Sequence, residues 1–347
     1  MRIYENNMKS TKQFTVLRLN SVTFPMSDEE REILHSLNVK IIEIEGDSDD
    51  EISEAAVNAD AIMVISSFIR TSVFQHMKNC RIISRLGTGY DKIDVEQATR
   101  QGIMVTNIPD FCTDEVADHT MALLLAVARR IKEYDSMMRT GKKPAGSDGI
   151  HRLSVQTAGL VGFGRIGRAV AKRCLGFGLK VLAYDPALTP ETAVKEGVVM
   201  ATLDQILKES DYVCLLCPLM PSTWKMIAMQ QLKMMKRSAV LVNTGRGELV
   251  DEDELVTALR EGIVRFAALD VFGGINVFSS DGFPTDHPFF GLENVLLTPH
   301  VSANSEESLA DSHRRGAQAV VDVLRGNWPQ HLVNSDVNPW FQIEKPE

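Results

Sequence analysis

The stretch AGLVGFGRIGRAVAKR, residues 158–173, limits the possible folds of this chain more than any other. Gly162, Gly164 and Gly167 spell GxGxxG directly after an apolar strand and at the start of a helix. In that context the first glycine permits a tight turn. The second lets a pyrophosphate approach the backbone, and the third lets helix and strand pack closely. The helix N-terminus adds unpaired N–H groups and a partial positive charge. A second strand, VLAY, then ends in Asp185, 18 residues after Gly167. A carboxylate there accepts hydrogen bonds from the adenosine ribose hydroxyls and repels a 2′-phosphate. No Arg or Lys occurs in 186–190 to hold such a phosphate. The expected cofactor is NAD rather than NADP.

The rest of the chain alternates strand and helix. Strands are expected over Phe14–Leu19, Val39–Ile44, Ala61–Ile65, Arg81–Leu86 and Ile103–Asn107, with helices over Asp28–Leu37 and near Glu51–Asn58. TDEVADHTMALLLAVARRIKEY, from Thr113, reads as one broadly apolar helix that Thr113 can cap, with Glu115 and Asp118 in its early turns. The loop GKKPAGSDG at 141–149 is polar and Gly-rich. Six more strands follow: Thr157–Val161, Lys180–Tyr184, Asp211–Cys217, Ala239–Asn243, Val264–Leu269 and Val295–Leu297. Helices fall between them, including Asp251–Glu261, and a last one covers about Ser305–Arg325. This is an α/β pattern of βαβ units and parallel sheets. Six strands with helical crossovers suffice for a dinucleotide-binding sheet.

Composition narrows the partners. The 347 residues suggest two domains. The net charge of −9 argues against general binding to nucleic acid or an anionic membrane, both of which need a basic face. The longest apolar run, Met121–Ala128, is too short to span a bilayer, and the first residues lack a signal-peptide core. A cytoplasmic protein is expected. The five cysteines (Cys80, Cys112, Cys174, Cys214, Cys217) suit free thiols in a reducing compartment. Cys214 and Cys217 form CxxC, but within the apolar run YVCLLC they read as buried strand residues. No metal site is expected.

The chemistry-bearing candidates follow Rossmann strands. AVLVN leads into Thr244-Gly245-Arg246-Gly247, VRFAAL into Asp270, and VLLTPH into His300. Ligands of open α/β sheets lie beyond the carboxyl ends of the strands, so these residues can share one crevice. Arg can hold a carboxylate through two parallel bonds and polarise a carbonyl. His can pass a proton near neutral pH. Asp can accept from a nicotinamide amide. Alone, each residue has a plainer reading: a surface ion pair, a loop histidine, a turn cap. The other histidines (His35, His76, His119, His151, His287, His313, His331) lack such a context and read as structural or solvated.

The chain resembles the D-isomer-specific 2-hydroxyacid dehydrogenases, a family that includes D-lactate, D-glycerate/hydroxypyruvate, 3-phosphoglycerate and formate dehydrogenases. The matching segments are RLGTGYDKID (85–94), DEVADHTMALLLAVARR (114–130), GLVGFGRIG (159–167), CPLMPST (217–223), LVNTGRGELVDEDEL (241–255), AALDVF (267–272) and ENVLLTPH (293–300). The resemblance implies that backbone N–H groups around Gly87, Thr88 and Gly89 bind the substrate carboxylate, together with Arg246, which also binds the reacting oxygen. His300 would be the acid/base. Asp270, Thr244 and Gly245 would hold the nicotinamide end, Arg165 and Ile166 the pyrophosphate, and Pro218 the adenine, with Thr120 and Ala303 also at the cofactor. Ser66–Phe68 and Tyr90 would line the side-chain pocket. The implied architecture is a Rossmann NAD domain, 109–303, inserted in a flavodoxin-like substrate domain, 1–108 plus 304–347. Catalysis would take place in the cleft, and residues around 114–155 would form a homodimer.

One position departs from the family pattern. A Glu normally follows the Asp of AALD by five residues and hydrogen-bonds the catalytic His; here Ile275 stands there. Such a carboxylate orients the imidazole and favours its protonated form. Asn276, Asp281 and Asp286 are candidate substitutes. The leading reading is an NAD-dependent 2-keto acid reductase. The departure keeps two others open: an NAD(H)-sensing binder like the C-terminal-binding-protein corepressors, and a formate- or phosphite-type dehydrogenase.

Overall fold

A computed structural model describes residues 13–143, 149–273, 277–278 and 286–345. The chain divides into two units, Met1–Phe111 with Glu306–Glu347, and Cys112–Ser305. In the first unit, β1 (Phe14–Arg18), β2 (Val39–Glu43), β3 (Ala61–Val64), β4 (Ile82–Arg85) and β5 (Met104–Thr106) form one sheet of order β2-β1-β3-β4-β5. Every pairing in it is parallel. β3 reads AIMV and is buried throughout, as expected of a central parallel strand covered on both faces. The helix Asp28–His35 starts where the Ser27 side chain accepts the Glu30 N–H at 3.1 Å, and its first turn carries three carboxylates. The helix Glu306–Arg325 returns late in the chain to cover this sheet. Ser84 Oγ on β4 donates to its Gly316 carbonyl at 2.9 Å. Gly316 lies so near Leu86 that an added Cβ would stand 2.8 Å from its Cγ. One buried charged cluster joins three elements: Arg18 Nε pairs with Glu30 Oε1 at 2.7 Å, and Glu30 Oε2 pairs with His313. Burial works to raise the Glu30 carboxyl, but His313 and Arg18 outweigh it and hold it low. His313 is thus structural.

The second unit holds β6 (Thr157–Val161), β7 (Lys180–Tyr184), β8 (Val199–Met200), β9 (Tyr212–Leu215), β10 (Val240–Asn243), β11 (Phe266–Leu269) and β12 (Val295–Leu297). They form a parallel sheet of order β12-β11-β10-β9-β6-β7-β8. Strand order reverses at β6: β7 pairs on one side and β9 on the other. The glycine turn follows β6 at this switch point, where a dinucleotide fold takes its ligand. Its strands are mostly buried apolar runs, from YVCL through VLVN to FAAL.

Three local details differ from the sequence reading. The sheet has a seventh strand, the two-residue edge piece Val199–Met200, paired through Leu182↔Val199 and Ala183↔Met200. It is too short for an alternation to show, and Val199 is exposed. The long helix is two helices, Thr113–Ala128 and Ile131–Arg139. They are broken at Arg130, which adopts φ 54° with its guanidinium 5.7 Å from the Tyr134 ring. No Gly or Pro marks that break. Cys112 occupies the cap position, so Thr113 is the first helical residue rather than the cap. Cys214 is buried in β9, whereas Cys217 is half-buried with its Sγ 3.8 Å from Met226 Sδ. Burial pushes the Cys217 thiol up to about 11. Among the described residues, no helix is long and apolar enough to cross a membrane.

Candidate active site

The glycine turn is built as its spacing suggests. Gly162 has φ 101°, and an added Cβ would stand 2.7 Å from the Cys217 nitrogen. A side chain at Gly167 would meet the Gly162 carbonyl oxygen at 2.3 Å. Gly164 is the opposite case: among the described residues nothing lies within 4 Å of an added Cβ. Gly164 is the N-cap of the helix Arg165–Gly176 and, lacking a side chain, makes no cap hydrogen bond to that end. Arg165 and Ile166 therefore open a helix whose first N–H groups suit a phosphate. Asp185, just past β7, accepts the Phe163 N–H at 3.0 Å on Oδ2 and the Ala187 N–H at 3.0 Å on Oδ1. Those bonds fix the carboxylate against the glycine turn while each oxygen keeps acceptor capacity for a ribose diol. Pro218 follows β9, its carbonyl accepting from Thr223 Oγ1 at 2.8 Å. These residues fit a bound NAD.

At the end of β10, Asn243 folds the next turn. Its Nδ2 donates to the Arg246 carbonyl at 2.8 Å, and its Oδ1 accepts the Gly245 N–H at 3.0 Å. Thr244 shares a 2.8 Å hydrogen bond with the buried Thr120 hydroxyl, so these two predicted cofactor positions meet. Arg246 is half-buried, with Nη1 on its neighbouring Gly245 carbonyl at 2.8 Å.

Asp270, past β11, is fully buried. Its backbone carbonyl accepts the His300 N–H at 2.8 Å. Its Oδ1 accepts Thr298 Oγ1–H at 2.6 Å and the Val301 N–H at 3.0 Å, and its Oδ2 accepts the Ser302 N–H at 3.0 Å. Burial alone raises such a carboxyl, but the contacts from His119, Ser302, Thr298 and Val301 prevail and hold it far below the usual range. Asp270 thereby organises the turn that carries His300, which sits at φ 55°, and Ala303 directly follows that turn. The Phe278 ring lies 5.1 Å from the His300 ring, tilted by 46°. Ile275, Asn276 and Asp281 lie outside the described residues; Asp286 is exposed beside His287.

Sequence reasoning missed His119. Its Nε2 lies 3.0 Å from Thr298 Oγ1 and 3.5 Å from Asp270 Oδ1. Because the Thr298 hydroxyl proton goes to Asp270, its oxygen is free to accept from the His119 ring. This gives a chain from His119 through Thr298 to Asp270. The signals in the sequence were adjacency to Thr120 and a place in the matching segment DEVADHTMALLLAVARR.

In the other unit, the loop after β4 is held by the segment that follows β5. Ile108 N–H donates to the Gly87 carbonyl at 3.0 Å, and Asn107 Nδ2 to the Thr88 carbonyl at 2.7 Å. The Gly87 N–H donates to the Arg85 carbonyl at 2.9 Å, so it is engaged within the loop. Phe68 and Tyr90 are exposed; the Arg70 guanidinium and the Lys92 ammonium lie 4.4 and 4.8 Å from the Phe68 ring centre.

Comparison with known proteins supports one family. The sequence model of the D-isomer specific 2-hydroxyacid dehydrogenase NAD-binding domain matches residues 121–302. The glyoxylate reductase of Korarchaeum cryptofilum is 40% identical over 291 residues, 82% of this chain and 86% of the relative. The glyoxylate reductase of Pyrococcus furiosus is 37% identical over 305 residues, 86% and 88% of the two chains. The D-lactate dehydrogenase of Aquifex aeolicus, solved with NAD and lactic acid, superposes with a TM-score of 0.79 at 29% identity, over 90% of this chain and 96% of that one. A glycine turn at a sheet's switch point, with Arg246, Asp270 and His300 beyond neighbouring strands, is what such similarity should accompany. The chain belongs to the D-isomer specific 2-hydroxyacid dehydrogenase family, NAD-dependent enzymes that move hydride between nicotinamide and 2-keto or 2-hydroxy acids.

Proposed function

We propose that the chain works as an NADH-dependent reductase of small 2-keto acids, glyoxylate among them. The observation that carries this is the bonding of Asp270, which fixes the His300 turn through both its carbonyl and its carboxylate. A protein that only sensed NAD(H) would have no need to hold an imidazole so firmly. The relatives reported above are enzymes, which leaves the corepressor and the formate or phosphite readings without support.

Arg246 binds the substrate carboxylate and polarises the 2-keto oxygen, and the Thr88 and Gly89 N–H groups hold the same carboxylate. NADH, when bound, supplies the hydride that C2 receives. His300, as the imidazolium, gives its ring proton to the carbonyl oxygen and ends neutral. Asp270 keeps His300 in place and offers Oδ2 to the carboxamide; Thr244, Gly245, Thr120 and Ala303 complete that end of the cofactor site. Gly162, Gly164, Arg165, Ile166 and Gly167 hold the pyrophosphate, Asp185 the ribose, and Pro218 the adenine. We assign the NAD role to 109–303 and the substrate role to 1–108 with 304–347. We also assign a homodimer to the 114–155 region, supported by the exposed Ile131, Met138 and Val155. The five free cysteines support a cytoplasmic setting, and the net charge of −9 supports a partner list without nucleic acid or membrane.

The test is turnover of glyoxylate, hydroxypyruvate and phenylpyruvate with NADH and with NADPH. Arg246→Ala should abolish turnover and leave NADH binding intact. A wild-type protein inert toward the whole panel with both cofactors would refute the proposal.

A further inference from the structure

A second carboxyl–imidazole pair lies apart from the His300 turn. Glu252 is the first residue of the helix Glu252–Arg260, after the N-cap Asp251. Its Oε1 accepts the Gly273 N–H at 2.7 Å. Its Oε2 lies 3.6 Å from His287 Nε2, and both side chains are less than one-fifth exposed. The Phe289 N–H donates to His287 Nδ1 at 3.4 Å. The neutral ring therefore carries its proton on Nε2, facing Glu252. Phe272, Phe289 and Phe290 surround the imidazole, with ring centres at 5.8, 5.0 and 5.9 Å.

What this pair secures is next to Arg246. The Phe272–Gly273 backbone packs on Gly247 so closely that an added Cβ there would stand 2.5 Å from both the Gly273 nitrogen and the Phe272 carbonyl carbon. Gly247 directly follows Arg246 in the chain. We propose that Glu252 and His287 are positioning residues: they clasp Phe272–Gly273 against Gly247 and so fix the Arg246 turn for the substrate carboxylate. This rests on the role given to Arg246 above.

The clasp can respond to pH. Burial pushes the Glu252 carboxyl up to about 7, helped by repulsion from Glu248, Asp253 and Asp251 and opposed by the Gly273 N–H. Lys225 spends its ammonium on Asp251 at 2.8 Å. Burial lowers the His287 imidazole, against the pull of Asp286 and Asp253. The charge-assisted bond to the Gly273 N–H recovers only part of what burial costs the ionised Glu252, so the closed clasp favours the protonated form. Opening the clasp returns Glu252 to water, where it ionises near the ordinary Glu value, so the grip on Gly273 loosens as pH rises through neutrality.

Two measurements on the full chain test this, with Glu252→Gln as the variant that keeps the shape and cannot titrate. The first is hydrogen exchange of the peptide holding Gly273, corrected for the intrinsic rate, between pH 5.5 and 8.5. Wild type should lose about fivefold protection as pH rises across neutrality, and the variant should stay flat. The second is steady-state reduction of glyoxylate. The wild-type KM should rise about fivefold more than the variant's as pH rises above 7, and NADH affinity should stay within about twofold in both. Exchange with the same pH dependence in variant and wild type overturns the clasp, whatever the turnover. A clasp that passes the exchange test in a protein without keto acid turnover would instead overturn the role of Arg246.

Discussion

Replacing Asp270 by Asn tests the central structural claim, that one buried carboxylate holds the turn of His300, the proposed acid/base. The side chain accepts three hydrogen bonds, from Thr298, Val301 and Ser302. An amide can keep the two on Oδ1, but its NH2 then faces the Ser302 N–H, donor against donor. Leaving that buried N–H unpaired costs about 1–3 kcal/mol, and exchanging a charged for a neutral acceptor weakens the other two bonds by about 1 kcal/mol each. Relief of the buried charge offsets part of this, so the net loss should be about 3 kcal/mol. For a unit of this size that corresponds to a fall in Tm of about 10 °C at pH 7. The pH dependence has a definite sign. The folded carboxyl is depressed, so its stabilisation is fully present above the ordinary Asp value of about 3.9 and drains away as pH falls toward the folded value. The gap between wild type and variant should therefore narrow between pH 5 and pH 3. Calorimetry across that range is the assay, paired with kcat, which should fall about a hundredfold as the His300 turn shifts. A Tm change below about 2 °C, or a gap that widens on acidification, would refute the reasoning.

Asp185→Ser removes the charge proposed to hold the adenosine ribose; NADH should bind about tenfold more weakly and the preference over NADPH should collapse toward parity, read by fluorescence titration with each cofactor. His119→Leu leaves Thr298 Oγ1 without its ring donor; kcat should drop about tenfold at unchanged NADH affinity, and an equal loss in both would show that the helix, not the chain to Asp270, was damaged. Glu252→Gln should stabilise the protein in alkaline solution. Its carboxyl is raised to about 7, so stability is lost as pH climbs from the ordinary Glu value to there, by roughly 3 kcal/mol. The variant should melt later than wild type at pH 8 and together with it at pH 4.5.

The parts of this fold legible in the sequence are those encoded locally. Apolar runs such as VLVN and FAAL mark parallel strands because both sheet faces are covered, and the glycine spacing at 162–167 states its own geometry. The parts that escaped depend on contacts between distant positions or on marginal local preferences. The break at Arg130 uses no Gly or Pro, and β8 is too short to show a period. His119 acquires its place only because Thr298 and Asp270, more than 150 positions downstream, fold back to meet it. Glu252 reads as an ordinary first-turn carboxylate that favours a helix N-terminus. Its second role comes from Gly273 and His287, which the chain delivers from β11 and from the approach to β12. Motif residues such as Arg246 and His300 sit where a strand's end puts them. The groups that hold them still are recruited from wherever the sheet's order brings a polar side chain within 3 Å, so they are where sequence reading falls short and where substitution should be most informative.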